Sequence, residues 1–129
     1  QIGLPCDCFN DPFLQIASAA QIKKNEVAFG ISYTGEVTNT VNAMKVAKQK
    51  GAITICITGY IDSSITKYSD IILYVSPITK QFLCDLPAAR MSELCVINVL
   101  QVGMLVKNYE KLSGNIEKYK EAFKLQLKK

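Results

Sequence analysis

Apolar runs of strand length alternate along this chain with stretches whose apolar residues recur at helical spacing. Glu26–Ser32, Ala52–Thr58 and Asp70–Val75 are short and rich in β-branched residues, which predicts buried strands. Leu4–Phe9 reads as a further short strand. After it, Asp11-Pro12 supplies an N-cap and a first-turn proline, and Phe13, Ile16, Ala17 and Ala20 follow with a helical period. Glu36–Lys50 reads as a helix with Val37, Val41, Met44 and Ala47 on one face, stopped by Gly51. Ser63–Tyr68 predicts a short helix, and Ser76-Pro77 closes the strand before it reaches the next element. Leu86 to about Lys107 is mostly apolar and predicts one long, well-buried helix, with a break at Gly114. Asn115 then caps a last helix that carries Ile116, Tyr119, Phe123 and Leu127 on one stripe. Strands alternating with helices imply an α/β fold with a doubly wound parallel sheet. Such sheets bind ligands outside the carboxyl ends of their strands.

Composition narrows the class. At 129 residues, 49% hydrophobic and 20% charged, the chain fits one globular domain. No uninterrupted apolar run reaches the ~18–20 residues that span a bilayer; Val96–Val106 is broken by Asn98, Gln101 and Gly103. No membrane association is therefore expected, and no signal-peptide pattern is present. Gln1 is not an initiator methionine, so the expectation is a processed terminus or a fragment. The five cysteines, Cys6, Cys8, Cys56, Cys84 and Cys95, are odd in number and irregular in spacing, which argues against a disulfide framework. Cys6-x-Cys8 resembles half a metal site, but there is no histidine and no second pair, so no metal and no cofactor is expected. A reduced, cytoplasmic setting follows. The net charge of +4 resides wholly in residues 107–129, whose seven lysines are interleaved with Glu110, Glu117 and Glu121. That pattern reads as a solvated helix face rather than a nucleic-acid surface.

The stretch Phe29-Gly-Ile-Ser-Tyr-Thr-Gly-Glu36 carries the candidate chemistry. A strand feeds two hydroxyl residues and a glycine, and a helix follows at once. The first N–H groups of a helix have no internal partner and sit at the positive end of its dipole, which suits an anion. Ser32 and Thr34 can add donors, and Gly35 lets the backbone approach closely. The same hydroxyls could equally cap the helix. Glu36 could contact a ligand or simply complement the dipole; Thr58 and Gly59 end the next strand at the same edge.

Val27-Ala-Phe-Gly-Ile-Ser-Tyr-Thr-Gly-Glu-Val, Ala43-Met-Lys-Val-Ala-Lys-Gln-Lys-Gly-Ala, Ile55-Cys-Ile-Thr-Gly and Ser64-Ile-Thr-Lys-Tyr-Ser-Asp-Ile-Ile-Leu-Tyr-Val together resemble the SIS (sugar isomerase) domain. The resemblance is to the effector domain of the RpiR family of bacterial transcription regulators, and Asp11-Pro-Phe-Leu-Gln-Ile and Ala89-Arg-Met-Ser-Glu-Leu extend it over nearly the whole chain. It implies a flavodoxin-like SIS fold that binds a phosphosugar. Ser32 and Thr34 match the hydroxyl pair that holds the phosphate, helped by backbone N–H groups around Tyr33 and Gly35. Two departures stand out. Val37 occupies a position usually held by threonine, and Thr38, about 100° further round a helix, is its nearest substitute. The family's first strand and its DNA-binding domain also have no counterpart in these 129 residues. The expectation is thus an N-terminally truncated SIS domain over residues 1–129, with unpaired edges where that strand would lie.

The expected ligand-binding residues are Ser32, Tyr33, Thr34, Gly35, Glu36, Thr38, Thr58 and Glu93. Arg90 and Glu93, three apart on one helix, can pair, line a ligand site or face a partner copy. The leading expectation is a sensor with no catalytic residue, a dimer or tetramer, that meets DNA only through a separate domain. The rival is a phosphosugar isomerase or lyase. Isomerisation needs a positioned base; with no histidine, Glu93 and Glu36 are the candidates. A third reading is a dimerisation fragment that binds nothing.

Overall fold

The structure is a computed structural model that describes residues 5–75, 82–107 and 124, with the backbone alone for 82–86. The chain divides into two compact units, one of Cys8–Leu94 and one of Gln1–Asp7 with Cys95–Lys129. The first unit holds the sheet. Its order of elements is α1 (Pro12–Gln21), β1 (Val27–Ile31), α2 (Thr38–Gln49), β2 (Ile53–Thr58), the 3-10 helix η1 (Ser64–Tyr68) and β3 (Ile71–Tyr74). The helix α3 (Phe82–Lys107) begins in this unit and ends in the other.

The three strands form a parallel sheet in the order β1-β2-β3. Val27 pairs with Ile53 and Gly30 with Cys56, and Cys56 in turn pairs with Ile72. Alternation then sends Ala28, Gly30, Cys56 and Ile72 to one face. That face is where α2 and η1 pack: Val41, Met44, Cys56 and Ile65 form a buried cluster with Ala28, Tyr68 and Ile72 against it. A second cluster of Ala19, Ala47 and Ala52 joins α1 to α2. Small residues dominate this second contact, so the two helices approach closely.

Local chemistry explains several boundaries. Asp11 Oδ1 accepts from Phe13 N at 2.9 Å and Leu14 N at 3.0 Å, the N-cap expected before Pro12. Gly51 stops α2 at φ 82°, with Gly51 N donating to Lys48 O and Ala52 N to Ala47 O. These are the two bonds of a Schellman motif, and they need the left-handed backbone that glycine adopts without strain. Beneath β2, Asp70 Oδ2 accepts from Thr54 N at 2.9 Å and Thr54 Oγ1 at 2.8 Å, and Lys48 Nζ lies 3.2 Å from its other oxygen. Those bonds, the Thr54 N–H first, hold the Asp70 carboxyl down at about 2.

Several expectations are corrected. Pro5–Asn10 has no regular structure, so the Leu4–Phe9 strand is not seen over its described residues. Proline cannot donate to a ladder, Asp and Asn are poor strand formers, and no described strand pairs with the segment. In α1 the Phe13/Ile16/Ala17/Ala20 stripe faces solvent, with Phe13 84% exposed, and Ala19 is the residue that packs on α2. α2 starts at Thr38, two residues later than expected. The opposite sheet face leaves Val27, Phe29, Ile31, Ile53 and Ile71 exposed, although Ile57 on that face is fully buried. β1 bonds to β2 alone, so its other edge is open among the described residues.

α3 is longer than expected, starting at Phe82, and contains Pro87. It is not well buried: Met91, Leu94, Val99, Val102 and Val106 are exposed, and Ala89 is its buried residue among those described. Its apolar residues fall on every side, so one neighbouring surface cannot cover them. Cys95, expected in an apolar setting, is likewise exposed, whereas Cys56 is buried and its thiol is pushed up by that burial. One helical stretch, Pro87–Lys107, is long and apolar enough to cross a membrane by length and composition. This corrects the reading from unbroken runs, because a mean over the helix tolerates Asn98 and Gln101. The core helix of a soluble protein meets the same criterion. The expected last helix falls outside the described residues except for Lys124, which is helical; Ser76-Pro77 also falls outside, and Cys84 is described by its helical backbone alone.

Candidate functional site

The loop from β1 to α2 is built as a tight, clamped turn. Gly35 has φ 68°, and its N–H donates to Ser32 O at 2.9 Å and Ser32 Oγ at 3.1 Å. The end of β2 grips the loop from below: Thr58 Oγ1 donates to Tyr33 O at 3.2 Å, and Gly59 N donates to the same oxygen at 2.8 Å. η1 grips it from the side, because Ile65 N donates to Gly35 O and Ser64 N donates to Glu36 Oε1 at 2.7 Å. The hydrogen bonds from Ser64, aided by the charge of Lys67, hold the Glu36 carboxyl below the usual carboxylate range. An added Cβ at Gly35 would meet Ser63 Oγ at 2.1 Å and Thr58 Oγ1 at 2.9 Å, so glycine is required twice over.

This geometry decides what Ser32 and Thr34 do. Neither caps α2: the N-cap is Val37, which makes no side-chain cap bond. Ser32 Oγ accepts from Gly35 N, and Thr34 Oγ1 accepts from Glu36 N at 3.3 Å. A hydroxyl that accepts in this way still has its own O–H to donate, and neither donates to an acceptor among the described residues. The Thr34 hydroxyl thus stands exposed near an uncapped helix start at Thr38, where the dipole is positive, whereas Ser32 is buried and, like Tyr33, is not among the residues that line the cavity beside the turn. One expectation changes. The Gly35 N–H is spent on Ser32 inside the turn and is not open to a ligand.

Thr34 and Glu36 line a cavity of about 410 Å³ together with Tyr60, Ile61, Asp62 and Ser63. Thr38 stands exposed at the first position of α2. Thr58 is fully buried, so its hydroxyl positions the loop instead of lining the cavity. Glu93 lies on α3 and is not among the lining residues. Burial pushes its carboxyl up, against the opposing charge of Arg90, yet the two form no ion pair within 4.0 Å. Sequence reasoning missed Tyr60–Ser63. The signal was their position just past the carboxyl end of β2. Ser63 Oγ donates to Tyr60 O at 2.9 Å, and the Tyr60 ring meets Tyr33 edge-on with centroids 5.7 Å apart. Among the described residues no three His, Cys, Asp or Glu side chains group to hold a metal.

The parallel α/β sheet places the hydroxyl-bearing Ser32–Glu36 turn just outside the carboxyl end of β1, the edge at which such sheets bind ligands. The chain belongs to the SIS domain family, whose profile matches residues 8–95. An uncharacterized HTH-type transcriptional regulator of Caldanaerobacter subterraneus subsp. tengcongensis is 36% identical over 126 residues, covering 98% of this chain and 45% of that protein. The HTH-type transcriptional regulator RpiR of Escherichia coli (strain K12) is 26% identical over 118 residues, covering 92% of this chain and 40% of RpiR. The chain therefore spans less than half the length of these curated relatives. Among solved structures, the Vibrio vulnificus NanR protein complexed with ManNAc-6P shares the fold with a TM-score of 0.86 at 19% identity, covering 99% of this chain and 48% of NanR.

Proposed function

We propose that this chain is the phosphosugar-binding effector domain of an RpiR-type transcription regulator, with the ligand phosphate held at the Ser32–Glu36 turn and Thr38. The observation that carries the reading is the state of the Thr34 hydroxyl: it accepts a backbone N–H, retains its own proton and lines the cavity near an uncapped helix start, while the buried Ser32 hydroxyl accepts from Gly35 N and shapes the turn beneath it. Membership of the SIS family and kinship with HTH-type regulators support it. NanR, which has the same fold, has been solved with a sugar phosphate bound.

The role is sensing rather than catalysis. Proton abstraction needs a base near the ligand. Glu36 is hydrogen-bonded and held acidic, which makes it a weak base, and Glu93 is outside the cavity lining. The regulator would work in the cytoplasm as a homo-oligomer and reach DNA through a separate domain. In a thermal-shift panel of hexose phosphates on the full chain, one ligand should raise the Tm; at 100 times Kd the linkage amounts to ~2.7 kcal/mol. The Ser32→Ala/Thr34→Ala variant should lose that shift while keeping its fold by circular dichroism. An undiminished shift in the double variant would remove the site assignment. Turnover of a sugar phosphate that disappears in Glu93→Gln would replace the sensor with an enzyme.

A further inference from the structure

The cavity beside the turn has an uneven distribution of donors and acceptors. Thr34 brings a hydroxyl that can donate, next to the uncapped start of α2. Glu36 and Asp62 bring two carboxylates, and none of the six lining residues is a lysine or arginine. The Glu36 carboxylate is not free to swing away, because Ser64 N holds Oε1 at 2.7 Å. The path of the Tyr60–Ser63 loop is fixed as well. Ser63 Oγ ties it to Tyr60 O, the Tyr60 ring leans edge-on against Tyr33, and the backbone at Gly59 runs so close to the Tyr33 ring that a Cβ would lie 2.7 Å from it.

These groups divide a ligand into two chemical ends. A phosphate at neutral pH accepts hydrogen bonds and needs donors, which the turn and the helix start supply. Carboxylates accept as well, so they serve the hydroxyl or amino hydrogens of a sugar and oppose any second acidic group. Resting on the phosphosugar reading above, we infer that Asp62 and Glu36 make this cavity select phosphosugars whose phosphate is their only anionic group. Neutral and amino sugars are accepted; aldonic-acid phosphates and bisphosphates are refused. Two like charges ~6 Å apart at an effective dielectric of ~40 repel enough to change an equilibrium about tenfold.

The test is calorimetry on the full chain with matched acyclic pairs: the hexitol 6-phosphate and the aldonic acid 6-phosphate of the gluco, manno and galacto series, with inorganic phosphate as reference. Within each pair the ligands differ only in a CH2OH or a carboxylate at C1. The neutral member of the best-binding pair should bind at least about tenfold more tightly, and Asp62→Asn should narrow that gap several-fold. Asp62 is exposed on a loop, so the variant should fold. Equal or tighter binding of the carboxylate member would overturn the inference, as would a gap unchanged in Asp62→Asn. Binding of inorganic phosphate with no preference among any sugar phosphates would overturn it too, yet leave the phosphate turn standing. Binding of neither inorganic phosphate nor any sugar phosphate would remove the phosphosugar reading itself, and this inference with it.

Discussion

Replacing Gly35 by alanine tests the architecture of the turn most directly. Two costs can be separated. The first is conformational: φ is 68°, where an L-residue is disfavoured by ~1–2 kcal/mol. The second is steric, because the new Cβ would lie 2.1 Å from Ser63 Oγ and 2.3 Å from Ser63 Cβ. Ser63 cannot easily yield. It is buried, its hydroxyl is bonded to Tyr60 O, and it forms the N-cap of η1. Overpacking of this kind costs ~1–3 kcal/mol, so the total is about 3 kcal/mol. Gly51→Ala is the control. Its φ is 82°, but its nearest neighbour is the flexible Lys24 side chain at 3.3 Å, so it should lose only the conformational part. Urea denaturation of both variants, with m-values compared to confirm two-state unfolding, gives the difference. Gly35→Ala should be less stable than Gly51→Ala by ~1–3 kcal/mol and should lose the ligand-induced Tm shift. Equal destabilisation of the two variants would refute the claim that Ser63 and the turn are locked together.

Three further outcomes follow from the packing. Met44→Ala removes a nearly buried side chain between the sheet and η1 and should cost ~2–5 kcal/mol by denaturation. Asp11→Ala removes the acceptor for two N–H groups of α1 and should cost ~1 kcal/mol, with hydrogen exchange accelerated in α1 first. Asp70 has its pKa lowered from 3.8 to about 2, so its stabilising effect is complete above the unfolded value and is lost as pH falls towards 2. The Tm of the wild type should therefore drop between pH 4 and 2 more steeply than that of Asp70→Asn, compared on the same chain.

The parts of this structure that were legible in the sequence are those with local causes. Asp11-Pro12 starts α1 because a side-chain oxygen reaches N–H groups two and three residues on. Gly51 ends α2 because only a left-handed residue completes its bonds. The β-branched runs at 27–31, 53–58 and 71–74 became strands, and their spacing through helices made them parallel. The tight turn at Ser32–Gly35 was legible for the same reason, since it needs a glycine at positive φ. What the tertiary structure decided is everything that depends on a partner distant in sequence. Capping of α2 by Ser32 and Thr34 is ruled out because Thr58, Gly59 and η1 clamp residues 33–36 into a turn and the helix starts only at Thr38. The apolar stripe of α1 satisfied helical periodicity, yet it faces solvent, because periodicity reports which residues share a face and not what covers it. The cavity wall at Tyr60–Ser63 had no motif of its own. It exists because parallel pairing brings the carboxyl ends of β1 and β2 side by side.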